Sequence, residues 1–251
     1  MEVIISELRG AAPTYTPNED VNGVLRDTIL LPTASPICVG KSTRIRHIVE
    51  AYPDFGRSVG FTTRPRREGE PEDQYDFRPH TAATVTAILE DVQQGRLVQY
   101  AVHPNGYIYG STAKDYASPF TLLDVVYSGM ESLDKLPVKG IVKFGLACEP
   151  GTWNYRFNNR PTNTEDIGKR LAEGVRCIEW LLDQSDIAWI DTTARLRKPA
   201  VQDWHTDEVV AIARGKRDPN PRNRRVGERL LSAIRYAHNS YAHMSRPIYL
   251  T

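Results

Sequence analysis

The sequence predicts a three-layer α/β/α fold built around a mainly parallel sheet, with a helical extension at its C-terminal end. Short apolar runs rich in β-branched residues alternate with segments of helical periodicity, an order typical of parallel strands joined by helices. A Gly-Lys-Ser loop stands between the first of these runs and the helical pattern that follows it. The chain of 251 residues is 40% hydrophobic and 25% charged, so it can bury a substantial core.

The strands and helices follow from the sequence in chain order. Residues 1–27 contain turn-forming residues, and we predict a short strand or arm followed by a loop there. Apolar runs predict strands at 29–31, 97–102, 121–126, 141–146 and 187–190. Helical spacing of apolar residues predicts helices at 44–52, 84–92 and 165–182. A last helix is predicted beyond the Pro/Asn/Arg-rich break at 217–223, with one apolar face made of Val226, Leu230, Leu231, Ile234 and Ala237.

The loop between the first strand and the first core helix predicts a phosphate-binding site. Backbone N–H groups at a helix N-terminus point outward, and the helix dipole favours an anion there. A lysine beside them can reach the outer phosphates of a nucleotide, and a serine hydroxyl can bind Mg²⁺. In phosphate-binding loops of this kind, glycine is more usual at the positions of Ser35 and Cys38. The predicted ATP-binding residues are Ser35, Pro36, Ile37, Cys38, Val39, Gly40, Lys41, Ser42 and Thr43.

Further segments, in this order, carry a family resemblance. Thr-Thr-Arg-Pro-Arg-Arg-Glu-Gly-Glu at 62–70 is followed by Tyr-Asp-Phe at 75–77, and Tyr-Gly-Ser-Thr stands at 109–112. With the segments at 97–101, 122–124, 156–160 and 169–171, they resemble the guanylate kinase family over about 28–193. The resemblance implies a P-loop NTPase fold at 28–194, with a nucleoside-monophosphate-binding part at about 58–113 and a lid at about 152–170. An N-terminal arm at 1–27 and a basic helical extension at 195–251 flank it.

The resemblance also implies phosphoryl transfer from ATP with Mg²⁺ as cofactor, and a role for each matching residue. Arg64, Arg67, Tyr75 and Tyr109 match the family residues that hold the acceptor phosphate. Ser42 and Asp124 match positions near the metal. The implied catalytic residues are Lys41, Arg156, Arg160 and Arg170. The implied acceptor-binding residues are Gly60, Arg64, Arg67, Tyr75, Gln99, Tyr109, Ser111, Asp124 and Val126.

The sequence departs from the family where the acceptor base is read. Family enzymes hold guanine with carboxylates at the positions of Gln99 and Val126 and with a serine at Gly60. Guanine offers N1–H and N2–H donors, which carboxylates accept well. Gln99 can still accept through its carbonyl oxygen, whereas Val126 and Gly60 offer no side-chain hydrogen bond. The phosphate-holding residues are therefore kept while the guanine-reading ones are not, which predicts a base choice altered from GMP.

Two other functions stay open on the sequence. A sugar-phosphate kinase is one, because the stretch 103–107 is similar to the ribose 1,5-bisphosphate phosphokinase family, which also looks like a guanylate kinase without base contacts. A non-catalytic guanylate-kinase-like module that binds a phosphorylated ligand is the other. Such modules typically lose the loop lysine and the lid arginines, and this chain keeps them.

Composition limits the partners. The formal net charge of +1 gives no general affinity for nucleic acid or membrane, and no apolar run approaches the length of a membrane span. The N-terminus lacks the features of a secretory signal, and the three cysteines have no metal-ligand spacing, so we expect a cytoplasmic protein. From residue 195 onward there are twelve Arg/Lys and five Asp/Glu. This basic segment can contact nucleic acid, a phosphorylated substrate or an acidic partner, but we favour a solvated helical surface.

Overall fold

The computed structural model describes residues 1–66, 70–103, 105–159, 164–193 and 204–242. Within it the chain divides into two compact units. The first comprises 1–29, 54–121 and 136–140, and the second comprises 30–53, 122–135 and 141–251.

The helices and strands of the described residues alternate along the chain. The helices are α1 (Glu2–Ala11), α2 (Glu19–Leu25), α3 (Lys41–Ala51), α4 (Ala82–Gln93), α5 (Met130–Leu133), α6 (Pro150–Asn158), α7 (Thr164–Asp183), α8 (Trp204–Ala213) and α9 (Asn223–Ala242). The strands are β1 (Ile29–Ala34), β2 (Phe55–Arg57), β3 (Phe61–Thr62), β4 (Asp76–Phe77), β5 (Leu97–Val102), β6 (Ile108–Thr112), β7 (Phe120–Asp124), β8 (Gly140–Ile141), β9 (Phe144–Ala147) and β10 (Ala188–Asp191).

The first unit is built on a four-stranded sheet with the order β4-β3-β6-β5. Strand β6 pairs antiparallel with both β3 and β5, and β3 pairs parallel with β4. Helices α1 and α4 contribute to the core of this unit, whose buried side chains are Ile5, Leu8, Phe61, Val85, Ile88, Val92, Leu97 and Ile108. The sheet therefore has one face covered by helices, as an amphipathic antiparallel sheet requires.

The prediction of a strand or arm and a loop for residues 1–27 is wrong, because this segment forms α1 and α2. Ile5 and Leu8 stand three residues apart on one helical face and are buried in the core of the first unit. The side chain of Asn18 caps α2 by accepting a hydrogen bond from the Val21 N–H at 3.0 Å. The Tyr15 hydroxyl donates to the Leu97 carbonyl at 2.5 Å, which fixes the connection between the two helices to β5.

The second unit contains the strands of a mainly parallel sheet in the order β10-β9-β1-β7. Strand β9 pairs parallel with both β1 and β10, with Thr33 and Ala188 each opposite Phe144. Helix α9 packs along α7 and against β9 and β10, and the five apolar residues predicted for its inner face are buried. Sequence reasoning did not predict α8, which packs against α3 and β10. None of the helices among the described residues combines the length and the apolar character that a membrane crossing needs.

Candidate active site

The phosphate loop predicted at 35–43 connects β1 to α3 in the second unit. Two of its residues have left-handed backbone angles, Gly40 with φ of 97° and Cys38 with φ of 67°. Cys38 is the one non-glycine residue with positive φ in the described part of the chain. Gly40 is the N-cap of α3 and makes no side-chain cap, so the first-turn N–H groups receive no acceptor from it. The loop thus has the tight turn and uncapped helix start that suit an anion.

Lys41 and Asp124 form an ion pair beside this loop. Lys41 is the first residue of α3, and Asp124 ends β7. Their side chains are 18% and 26% exposed, so the pair is largely shielded from water. A partly buried carboxylate is costly without a cation or hydrogen-bond donors, and Lys41 supplies the cation for Asp124.

The two predicted metal ligands offer only oxygen atoms. Ser42 is exposed in the first turn of α3, and Asp124 supplies a carboxylate. Hard oxygen ligands of this kind suit Mg²⁺, which usually takes one or two protein ligands together with substrate phosphates. Among the residues that the structure describes, no group of three or more His, Cys, Asp or Glu side chains could hold a metal by itself. The donor set therefore fits a metal that arrives with a nucleotide.

The structure describes two of the three predicted lid arginines, Arg156 and Arg170. Arg156 lies on α6, and its two terminal nitrogens donate to the carbonyl oxygens of Val39 at 2.7 Å and Thr192 at 3.0 Å. Arg170 lies half-buried on α7. Arg160, like the predicted acceptor residue Arg67, lies outside the described residues.

Three of the four residues predicted to hold the acceptor phosphate, Arg64, Tyr75 and Tyr109, lie together in the first unit. Arg64 is buried and donates to both carboxylate oxygens of Glu70, at 2.7 and 2.5 Å. Its guanidinium lies 5.3 Å from the centre of the Tyr75 ring, whose own centre is 6.0 Å from that of Tyr109. The hydrogen bond to Glu70 is the main cause that raises the pKa of Arg64, and Tyr109 acts in the same direction. A fixed, permanently charged arginine with two tyrosines is a suitable anion-binding group.

Two predicted acceptor residues, Gln99 and Ser111, belong to a polar network around Tyr116. They stand opposite one another on β5 and β6. The Ser111 hydroxyl lies 3.0 Å from the hydroxyl of Tyr116, which is fully buried. Burial raises the pKa of Tyr116, and hydrogen bonds from Ser111, Ser58 and Gln99 lower it in part. Sequence reasoning assigned no role to Ser58 or Tyr116, and only their proximity to β5 and β6 in the fold identifies them.

The other two base-reading positions carry no polar side chain, and the structure adds a reason at one of them. A Cβ atom on Gly60 would lie 2.6 Å from the carbonyl oxygen of Gly110, on the neighbouring strand β6. That distance is too short for any side chain, so only glycine is compatible with this backbone. Val126, in the second unit, is 56% exposed.

Relatives of this chain among known proteins are guanylate kinases. The chain is 31% identical over 156 residues to the guanylate kinase of Nocardia farcinica, an overlap of 59% of this chain and 77% of the relative. It is 30% identical over 165 residues to that of Rhizobium meliloti, covering 62% and 72%, and 29% identical over 160 residues to that of Syntrophotalea carbinolica, covering 60% and 72%. A solved guanylate kinase structure from Anaplasma phagocytophilum aligns with a TM-score of 0.45 at 16% identity, over 76% of this chain and 86% of that one. No protein-family model matches the chain.

Proposed function

Because this chain belongs to the guanylate kinase family, we propose that it transfers a phosphoryl group from ATP to a nucleoside monophosphate whose base is not read as guanine. The observation that carries the proposal is a separation of roles. Arg64, Tyr75 and Tyr109 lie together as an anion-binding group, whereas Gly60 has no room for a side chain. This chain therefore keeps the residues proposed to bind the phosphate but lacks the serine that the family uses to bind guanine.

On the donor side, the residues supply positive charge and hydrogen-bond donors for the outer phosphates of ATP. Phosphoryl transfer needs alignment and charge neutralisation more than covalent chemistry from the protein. Lys41 is held by Asp124 beside the loop, so its ammonium group is already oriented when the nucleotide binds. The loop N–H groups from Gly40 to Thr43 bind the β-phosphate. Ser42 and Asp124 would hold Mg²⁺, which adds neutralising charge on the phosphate oxygens when it is bound.

On the acceptor side, Arg64 and the two tyrosines bind the phosphate of the monophosphate. Glu70 and the Pro65 carbonyl take three of the five N–H donors of the Arg64 guanidinium. The hydroxyl groups of Tyr75 and Tyr109, close to this guanidinium, add hydrogen-bonding groups for the phosphate oxygens. Because Glu70 fixes the guanidinium plane, the arginine loses little conformational entropy when the ligand binds.

The base is read by an amide rather than by carboxylates. The Gln99 amide has one acceptor and two donors, and one donor already bonds to Tyr116. The acceptor and the other donor suit a base edge that presents a carbonyl oxygen as well as an N–H group. The N1–H and N2–H donors of guanine would find one acceptor where the family provides two carboxylates. GMP therefore loses charge-assisted hydrogen bonds at this position, each worth about 1.5–3 kcal/mol.

A sugar-phosphate kinase is the second candidate function. An acceptor without a base would need no polar group at Gly60 or Val126, and the turn at 103–107 is similar to that family. In this turn, His103 Nδ1 lies 2.6 Å from Asn105 Oδ1. The two candidates separate in a thermal-shift screen of nucleoside monophosphates and ribose phosphates, because a ligand that binds the folded chain raises its melting temperature.

Replacement of Lys41 tests the phosphoryl transfer itself. We expect Lys41→Ala to abolish transfer to the best acceptor found in that screen, because the lysine stabilises charge on the transferring group. The matched control is Lys135→Ala, an exposed lysine in the same unit, which should keep wild-type turnover. Undiminished turnover in Lys41→Ala with an unchanged circular dichroism spectrum would contradict the kinase proposal. Absence of turnover in the wild type would favour a non-catalytic binding module.

A further inference from the structure

We infer that Trp153, Arg156 and Thr192 are positioning residues that hold the phosphate loop in its anion-binding conformation. They do so by hydrogen bonds on the side of the loop opposite the anion, which we call the back of the loop. The inference rests on the proposed function for the identity of the anion, the phosphates of ATP, but its geometry is independent of that function. It assigns a role to Trp153 and Thr192, which no sequence motif singled out. It also changes the role of Arg156 from the catalytic one that the family resemblance implies to one that acts through the loop.

Three side chains donate hydrogen bonds to two carbonyl oxygens of the loop. Trp153 Nε1 donates to the Ile37 carbonyl at 3.0 Å. Arg156 Nη1 and Thr192 Oγ1 both donate to the Val39 carbonyl, each at 2.7 Å. Arg156 Nη2 also donates to the Thr192 carbonyl at 3.0 Å, which ties two of the three positioning residues to each other.

Holding these carbonyl oxygens also fixes the direction of the loop N–H groups. In a trans peptide the C=O of one residue and the N–H of the next point in opposite directions, and the described residues contain no cis peptide bond. Fixing the carbonyl of Ile37 therefore turns the N–H of Cys38 away from Trp153. Fixing the carbonyl of Val39 likewise turns the N–H of Gly40 away from Arg156 and Thr192. Both N–H groups then point to the opposite side of the loop, where an anion can accept from them.

The sequence of the loop explains why such support is needed. Cys38 adopts a left-handed backbone angle, which is unfavourable for a residue with a Cβ atom. The two supported carbonyls belong to the residues on either side of Cys38. The hydrogen bonds from Trp153, Arg156 and Thr192 therefore offset the strain at the position where it arises.

Trp153 and Thr192 act through the loop because they are fully buried, with no exposed surface for a ligand to contact. Arg156 lies close behind Gly40, since a Cβ atom on that glycine would be 3.4 Å from Arg156 Nη1. Its guanidinium places a positive charge behind the loop, and that charge favours an anion in front of it. A larger residue at position 40 would push against the guanidinium as well as strain the backbone.

The test compares two identical substitutions of buried threonines in the second unit. Thr192→Val removes the hydroxyl that donates to the loop, and Thr192→Ser keeps it. Thr33→Val is the matched control, because the Thr33 hydroxyl is also buried and donates to a backbone carbonyl, that of Leu31 at 3.1 Å. Trp153→Phe is a second probe that keeps an aromatic ring but loses the N–H donor and part of the indole volume, and it decides the question if Thr192→Val does not fold.

Two measurements are made on each full-length variant. Amide hydrogen exchange of peptides covering residues 37–43 is measured without nucleotide, and ATP affinity is measured by calorimetry without acceptor. We expect Thr192→Val and Trp153→Phe to speed exchange in these peptides and to weaken ATP binding about fivefold to tenfold, the range for one lost hydrogen bond. Thr192→Ser and Thr33→Val should stay within about twofold of wild type.

The inference is overturned if the probes and the Thr33→Val control show the same loop exchange. It is also overturned if loop exchange changes but ATP affinity does not. If the wild type fails to bind ATP, the proposed function fails, and the exchange comparison alone still decides whether these residues hold the loop.

Discussion

At the scale of single residues, Cys38 links the geometry of the loop to a chemical readout. It is partly exposed in the phosphate loop, whereas Cys148 and Cys177 are buried, and burial raises the pKa of each of these two thiols to about 12. At mildly alkaline pH only a thiol with a lower pKa forms appreciable thiolate, the reactive species. Alkylation of the folded protein therefore reports on Cys38.

We predict that ATP protects Cys38 from alkylation, because bound phosphates would cover the loop. Labelling with iodoacetamide is followed by mass spectrometry of the peptide that contains Cys38, with and without saturating ATP. A slower rate with ATP is expected, and alkylated protein should bind ATP poorly. Equal labelling rates in the two conditions would contradict a nucleotide site that includes this cysteine.

Sequence motifs point to some residues of the candidate site, whereas other residues are identified only by their contacts in the fold. Lys41, Arg64 and Tyr109 belong to motifs with fixed spacing, so their neighbours in the fold could be expected. Tyr116 reaches Ser111 only because a short 3₁₀ helix returns the chain to the end of β6. The use of Arg156 as a support for the loop depends on where α6 packs, which no spacing encodes.

At the scale of elements, α1 is an integral part of the first unit. Leu8 is fully buried in the core that contains Val85, Ile88 and Leu97, whereas Val3 on the same helix is 80% exposed. The Tyr100 hydroxyl also donates to the Leu8 carbonyl at 2.9 Å. These contacts make α1 part of the support for β5, the strand that carries Gln99.

We predict that Leu8→Ala lowers the free energy of unfolding by about 2–4 kcal/mol, since it removes a buried side chain and leaves a cavity. Val3→Ala, the control on the exposed face of the same helix, should change it by no more than about 0.5 kcal/mol. Urea unfolding followed by far-ultraviolet circular dichroism measures both. Equal effects of the two substitutions would mean that α1 does not contribute to the core.

Each element that the sequence did not predict has its own physical cause. The segment of α1 and α2 carries Gly10, Pro13 and Pro17, which indicate turns, while the burial that favours helix comes from α4 and β5 in the fold. Helix α8 buries Thr206 and Glu208 among apolar residues, which interrupts the apolar pattern.

The strand predicted at 141–146 is two strands, β8 and β9. Between them Lys143 pairs with Asp134 and Asp186, at 2.8 and 2.9 Å. The other apolar runs form strands close to the predicted bounds, and each strand contains buried apolar side chains.

At the scale of the whole molecule, the residues proposed to bind the donor and most of those proposed to bind the acceptor belong to different units. Lys41, Asp124 and the phosphate loop are in the second unit, and Arg64, Tyr75 and Gln99 are in the first. Two of the three base-reading positions, Gly60 and Gln99, are also in the first unit, whereas Val126 is in the second. Substitutions at Gly60 and Gln99 can therefore change the proposed acceptor while the donor loop keeps its residues.

The most direct test of this account is the acceptor preference of the wild type and of one double variant. The quantity to measure is kcat/KM for GMP against that for the best other monophosphate. We predict that GMP is the poorer substrate of the wild type. Gln99→Glu with Val126→Asp should shift the preference toward GMP, because both substitutions restore carboxylates that accept from guanine. A wild-type kcat/KM for GMP of about 10⁵ M⁻¹s⁻¹ or more, typical of a dedicated enzyme, would contradict the altered base choice.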